Sequence, residues 1–141
     1  MARLDEDVLA EALRLLGNLM VARQRPPLHL VVCGGSALIA LKLVLRTTKD
    51  VDVLATFHDG HMHCARPLPQ WLNEDAKAVQ AELQLPDEWL NDGAADEDLF
   101  RFGLPIGVAE RLVLREFGPQ LKVSFISRYD QIHFKLYAAA D

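Results

Sequence analysis

Two aspartates in the first half of the sequence have the types and the spacing that could carry chemistry. Asp50 and Asp52 are separated by Val51, in a stretch whose β-branched residues and alternation favour a strand. Side chains two residues apart on a strand project to one face, so these carboxylates should converge about 6 to 7 Å apart along the backbone. Mg²⁺ and Mn²⁺ prefer such oxygen ligands together with substrate phosphates. The pair therefore predicts a metal site in which Asp50 and Asp52 are both ligands and catalytic residues. The alternative is that both are solvated charges on an exposed strand edge.

A glycine turn precedes the two aspartates. Gly34, Gly35 and Ser36 end an apolar run and begin a helical pattern. Glycines let the backbone approach a ligand closely, and the first N–H groups of a helix attract anions. A triphosphate would fit there, with the Ser36 hydroxyl as a further donor. The alternative is a tight turn between a strand and a helix that binds nothing.

The two motifs together match a known pattern. Residues 34–38 (GGSAL) followed by residues 46–53 (RTTKDVDV) resemble the signature of the polymerase-beta-like nucleotidyltransferase superfamily. More narrowly, the chain is similar to bacterial minimal nucleotidyltransferases and to nucleotidyltransferase-like proteins related to abortive-infection toxins. In such sites, two metal ions about 3.5 to 4 Å apart stabilise the attacking and leaving oxygens of an in-line displacement.

The resemblance implies a substrate and its contacts. The substrate is a nucleoside triphosphate with Mg²⁺ (or Mn²⁺), and the acceptor is a protein, an RNA or a small molecule. The nucleotide contacts fall on five residues: Gly34, Gly35, Ser36, Arg46 and Lys135. Arg46 has the alternative of pairing with a neighbouring acid. Lys135 has the alternative of a solvated helix residue whose stem covers apolar surface.

Two departures from the family pattern keep a second function open. Active members supply a third carboxylate from a neighbouring strand, whereas residues 112–115 and 121–127 contain no acid. Asp92, Glu110 and Glu116 are the alternatives for that role. Relatives with a similar last helix also continue into a further helical segment, so we expect part of the binding wall to lie outside residues 1–141 or on another chain. The second hypothesis is a catalytically inactive, antitoxin-like module that binds a nucleotide or a partner protein.

The elements around these motifs predict an α/β (α+β) fold, with a small mixed sheet packed against helices in one domain, residues 1–141. Helical periodicity predicts a first helix with apolar positions between residues 8 and 20, acids at residues 5–7 at its start, Arg23 and Arg25 at its end, and prolines at 26 and 27 that stop it. Further helices are predicted at residues 36–45, 74–85 and after residue 127, with Ser36, Asn73 and Ser127 as N-caps. Strands are predicted at residues 28–33 and 50–55, and a hairpin joins residues 111–117 to 121–127. Residues 56–70 and the region after Trp89 are predicted to be irregular.

Composition and charge limit the partners and the cellular compartment that we expect for this protein. The 141 residues carry a net charge of −5, which argues against a broad basic surface for nucleic acid. The sequence has no signal peptide and no run of about 18 apolar residues, so we expect a cytoplasmic protein without membrane contact, either as a homo-oligomer or with a partner protein. Cys33 and Cys64 are predicted to be free thiols. The histidines between residues 58 and 63 predict a solvated loop rather than a zinc site.

Overall fold

A six-stranded mixed sheet forms the centre of the protein in the computed structural model, which describes residues 3–40, 48–95, 106–127 and 129–130. The strands are β1 (Leu28–Cys33), β2 (Val51–His58), β3 (His61–Cys64), β4 (Leu90–Asn91), β5 (Val113–Glu116) and β6 (Leu121–Phe125). The helices are α1 (Glu6–Ala22), α2 (Gly34–Ala40) and α3 (Gln70–Leu83). The predicted mixed α/β fold is confirmed.

The sheet runs in the order β3-β2-β1-β6-β5, with β4 also paired to β2. β1 is antiparallel to β2 and parallel to β6. β1 pairs with one edge of β2, and β3 and β4 share the other edge. β3 pairs antiparallel with the end of β2, and β4 pairs parallel with its start.

Helix α1 follows the predicted pattern closely. The Asp5 side chain accepts a hydrogen bond from the main-chain N–H of Val8 at 2.8 Å, so Asp5 is the N-cap. Apolar residues at helical spacing, such as Leu9, Leu13 and Leu16, are buried against one face of the sheet. The main core therefore lies between that face and helices α1 and α3.

The opposite face of the sheet carries a smaller apolar cluster. Its buried members include Val31 and Cys33 of β1, Leu54 of β2 and Ile126 after β6. A register shift between Val31 and Val32 marks a bulge in the pairing of β1 with β2. The polar residues of the candidate site lie on this second face, next to Cys33.

The predicted loop over residues 56–70 is wrong in its first half. β2 continues to His58, and β3 returns antiparallel to it after a two-residue turn. That turn is Asp59-Gly60, with φ values of +52° and +77°. Asp-Gly is a strong hairpin signal, because both residues accept positive φ readily. The stacked rings of His58 and His63, with centroids 3.9 Å apart, lie on this hairpin.

Three other boundaries are also corrected. Helix α3 begins at Gln70, so Asn73 lies inside it, and the main-chain N–H groups of Leu72 and Asn73 bond to the carbonyl of Pro69. Helix α2 begins at Gly34, so Ser36 lies within it and is not its N-cap. The stretch after Trp89, predicted to be irregular, contains strand β4.

The C-terminal hairpin is confirmed. β5 and β6 pair antiparallel on either side of residues 117–120. Beyond β6, the main-chain N–H of Asp130 donates to the Ser127 hydroxyl at 3.3 Å, and that hydroxyl donates to the Asp130 carboxylate at 2.6 Å. The predicted cap at Ser127 is therefore present. The rest of the predicted last helix lies outside the described residues.

Candidate carboxylate site

Asp52 is the centre of the candidate site because it sits in a row of three residues across three strands. In the pairing register it is opposite Cys33 of β1 on one side and Asn91 of β4 on the other. Directly opposed residues in a sheet share a face. The half-buried Asp52 carboxylate is therefore flanked by a thiol and by an amide.

Gly34 brings the glycine turn into contact with this carboxylate. Its φ is +78°, in the left-handed region that favours glycine. A Cβ placed on Gly34 would lie 2.6 Å from Oδ2 of Asp52, which is closer than real Cβ contacts allow. Any other residue at position 34 would therefore need both a strained main chain and a shift of the Asp52 carboxylate.

Gly35 and Thr48 make a second close approach on the same side. A Cβ at Gly35 would lie 3.3 Å from Oγ1 of Thr48. The main chain of Thr48 is held by Leu4, since the N–H of each residue donates to the carbonyl of the other at 2.9 and 3.0 Å. Buried Leu4 thus anchors the segment that leads into Asp50.

Negative charge accumulates at this end of the sheet. Burial raises the pKa of Asp52, the charge of Asp50 raises it further, and hydrogen bonding with the Asn91 side chain opposes both. Burial, together with the charge of Asp52, raises the pKa of the Cys33 thiol to about 12. Among the described residues, no arginine, lysine or histidine lies within ion-pair distance of Asp50 or Asp52. A bound cation would relieve this repulsion.

The nucleotide-binding residues named from the sequence fall into three groups. Gly34 lies beside the Asp52 carboxylate and Gly35 lies beside Thr48, and their role in nucleotide binding stays a prediction. Ser36 is fully buried, and its hydroxyl donates to the carbonyl of Cys33 at 3.5 Å. Its role as a ligand contact stays a prediction. Arg46 and Lys135 lie outside the described residues.

None of the three acids considered as a third carboxylate reaches Asp52 in the structure. The Asp92 side chain accepts a hydrogen bond from the Leu68 main-chain N–H at 3.2 Å. Glu116 lies on β5, at the far edge of the sheet from β2. Glu110 lies in a short 3₁₀ turn beside Gly107. Within the described ranges, no group of three or more His, Cys, Asp or Glu side chains is arranged to hold a metal ion.

Asn91 is the residue of this site that the sequence reasoning missed. Its side chain is fixed from two directions, because Oδ1 accepts from the Gly93 N–H at 2.9 Å and Nδ2 donates to the Glu88 carbonyl at 3.3 Å. Pairing between two-residue β4 and β2 joins positions about 40 residues apart, and local periodicity carries no signal for such contacts.

A cavity of about 1040 Å³ adjoins Asn91. It lies between helix α3 and residues 87–93, and its polar lining includes Asn73, Lys77, Gln80 and Glu88. This volume is at the upper end of the range for small-molecule sites, about 300–1,000 Å³. Asn91 lines this cavity, whereas Asp50 and Asp52 do not.

Comparisons with known proteins identified no relative of the chain. No protein family, no curated protein and no solved structure matches the chain. In the part of the chain that the structure describes, no helix has the length and apolar character needed to cross a membrane. The functional argument therefore rests on the geometry of the site.

Proposed function

We propose that this protein binds a nucleoside triphosphate together with Mg²⁺ (or Mn²⁺) at Asp50 and Asp52, and that it transfers the nucleotidyl group to an acceptor. In that reaction an acceptor nucleophile attacks the α-phosphorus and loses its proton to solvent. The bond from the α-phosphorus to the bridging oxygen breaks, and pyrophosphate leaves with the cation. The acceptor is a protein, an RNA or a small molecule.

One observation carries the proposal: the main chain of Gly34 lies close to the carboxylate of Asp52. The two motifs that the resemblance joins are 18 positions apart in sequence, yet a Cβ on Gly34 would lie 2.6 Å from Asp52. A phosphate beside the glycines would therefore be within reach of a cation held by the carboxylates. Cations of this type bind through one or two carboxylates plus substrate phosphates.

The electrostatics support the same proposal. Asp50 and Asp52 repel each other, and the described residues supply no cation to offset that repulsion. A divalent ion gains most where anionic oxygens already converge, and the nucleotide supplies the remaining ligands.

The test is calorimetric titration of the metal-free protein with each nucleoside triphosphate, with and without Mg²⁺ or Mn²⁺. We expect binding that requires the cation and that falls at least about tenfold, or about 1.4 kcal/mol, in Asp52→Asn. Asp59→Asn is the matched control, because it removes the same charge from an exposed turn residue. Equal affinities in the wild type and Asp52→Asn would contradict the proposal.

A second function is favoured by the count of carboxylates. The described residues bring two acids together, and the third neighbour of the pair is an amide. With only two carboxylates the site would hold one cation, and the protein would act as an inactive, antitoxin-like module that binds a nucleotide or a partner protein. Cation-dependent binding without release of pyrophosphate, across protein, RNA and small-molecule acceptors, would favour this alternative.

A further inference from the structure

Asn91 has a fixed orientation, which can be read from its hydrogen bonds. The Gly93 N–H donates to Oδ1 at 2.9 Å, so the amide oxygen faces the turn and the amide nitrogen faces away from it. One hydrogen of that nitrogen points to the Glu88 carbonyl, 3.3 Å away. Asn91 is opposite Asp52 in register and on the same face of the sheet, so its amide lies beside the carboxylate. Because Oδ1 accepts from the Gly93 N–H, the second hydrogen of the amide nitrogen is the group available to donate to Asp52.

The turn that follows Asn91 is itself anchored. Nη2 of Arg66 donates to the carbonyls of Asp92 and Gly93 at 3.1 and 2.9 Å. The Asp92 carboxylate accepts a hydrogen bond from the Leu68 N–H at 3.2 Å. Strand β4 is held to β2 by a bond from the Val51 N–H to the Trp89 carbonyl at 2.5 Å. The Asn91 side chain is therefore part of a rigid support beside the carboxylate.

We propose that Asn91 is a positioning residue of the cation site: its amide holds the Asp52 carboxylate against Gly34 in the orientation that binds a divalent ion. This inference rests on the proposed function, since it concerns the same carboxylates. Carboxylates that bind metals are commonly fixed by such hydrogen-bonding partners, and loss of the partner lowers metal affinity about 10- to 100-fold.

Asn91 also occupies the place from which a further acid would complete the site. It is opposite Asp52 in register and on the same face of the sheet. An aspartate there would add a third carboxylate beside Asp50 and Asp52, and hard cations bind more tightly as anionic oxygen ligands are added. An apolar side chain at position 91 should therefore lower the affinity for the cation, and an acidic side chain should raise it.

The experiment measures Mn²⁺ binding to the full chain by electron paramagnetic resonance. Asn91→Leu should lower the affinity about tenfold. Asn91→Asp should raise it at least about tenfold above the wild type, because it completes a three-carboxylate site. Asn73→Leu and Asn73→Asp are matched controls, since Asn73 lines the same cavity but lies on helix α3. Thermal denaturation of each variant checks that it is folded.

The outcomes separate this inference from the proposed function. If Asp52→Asn abolishes cation-dependent nucleotide binding but both Asn91 variants bind Mn²⁺ like the wild type, the inference is overturned and the proposed function stands. If the wild type binds Mn²⁺ and Asn91→Leu lowers that affinity about tenfold, but no nucleoside triphosphate binds under any condition, the assignment of Asn91 stands and the proposed function fails. If Asn73→Asp raises the affinity as much as Asn91→Asp, added charge alone explains the gain and the inference is overturned.

Discussion

Two aspartates of this protein lie in opposite electrostatic settings. Asp75 of helix α3 is fully buried and is ringed by arginines: Nη1 of Arg23 lies 2.6 Å from Oδ1, and Nη2 of Arg25 lies 3.1 Å from the same oxygen. Nε of Arg25 donates to Oδ2 at 3.2 Å. Asp52 is half-buried, and its neighbours are a second acid, a thiol and an amide. One carboxylate has its counter-charge within the described protein, and the other has none there.

The difference separates a structural acid from a binding acid. The arginines tie the end of α1 to α3, so the charge of Asp75 joins two helices. Asp130 follows the same pattern, since it is fully buried and Nη2 and Nε of Arg111 donate to its two oxygens at 2.6 and 3.1 Å. A half-buried carboxylate without a described cation partner destabilises the ligand-free protein. Binding of a positively charged ligand offsets that destabilisation.

The largest expected effect is the loss of the structural acid. Asp75→Asn should lower the free energy of unfolding by about 3 kcal/mol, because it weakens three charge-assisted hydrogen bonds that Arg23 and Arg25 donate to a fully buried carboxylate. Chemical denaturation by urea measures this change. Glu74→Gln is the control, since its carboxylate is exposed and only 3.5 Å from Arg25, and it should change stability by less than about 1 kcal/mol. A similar small loss for Asp75→Asn would erase the contrast between the two aspartates.

The contact between Gly34 and Asp52 gives the second effect. Gly34→Ala should cost about 2 kcal/mol, because its φ is +78° and its new Cβ would meet Oδ2 of Asp52. Gly60→Ala is a matched control with a φ of +77° and no atom within 4 Å of its Cβ position, so it measures the backbone cost alone, about 1 kcal/mol.

The extra loss of stability in Gly34→Ala, compared with Gly60→Ala, comes from the Asp52 carboxylate. In an Asp52→Ala background, Gly34→Ala should therefore become as mild as Gly60→Ala, and denaturation of the double variant measures that coupling. If the two glycines give equal costs in the wild-type background, the turn does not press on Asp52, and the observation that carries the proposed function is lost.

Removal of the binding acid should have a smaller effect of opposite sign. Asp52→Asn should raise the stability of the metal-free protein by about 0.5 to 1 kcal/mol at neutral pH, because it ends repulsion by Asp50 and the burial of a charge. The pKa of Asp52 is raised from its usual value of 3.8, so its stabilising, protonated form is lost as the pH rises through the folded-state pKa. The advantage of Asp52→Asn should therefore shrink as the pH falls towards 4.

Thermal denaturation of both proteins between pH 4 and pH 7.5 in chelator measures this trend. Asp59→Asn, at an exposed turn, should not reproduce it. A lower stability of Asp52→Asn at every pH would mean that Asp52 is a structural acid like Asp75.

The motifs around Asp52 could be predicted from local sequence patterns, whereas the surroundings of Asp75 could not. The spacing of Asp50 and Asp52, the glycine turn and helix α1 each depend on neighbouring residues, and periodicity finds such features. The Asp59-Gly60 turn is an equally local signal, so the β2–β3 hairpin is also predictable from the sequence. Asn91 could not be found this way, because its place beside Asp52 depends on parallel pairing between distant segments. The arginine cluster around Asp75 also joins distant positions, and no local pattern predicts it.

The smallest effect uses Cys33 as a reporter of the charge at Asp52. Burial and the charge of Asp52 raise the pKa of Cys33 to about 12, so at pH 8 only about 1 molecule in 10,000 carries a thiolate there. In a Cys64→Ser background, Cys33 should react with iodoacetamide very slowly. Asp52→Asn should speed that reaction a few-fold, since it removes the charge that helps to raise the pKa of Cys33, and burial should keep the reaction far slower than that of an exposed thiol.

Transient opening of the structure would also speed the reaction, but Asp52→Asn is expected to stabilise the fold and so to oppose opening. A gain in rate together with a gain in melting temperature would therefore report charge, whereas an unchanged rate would show that the carboxylate does not act on the thiol opposite it.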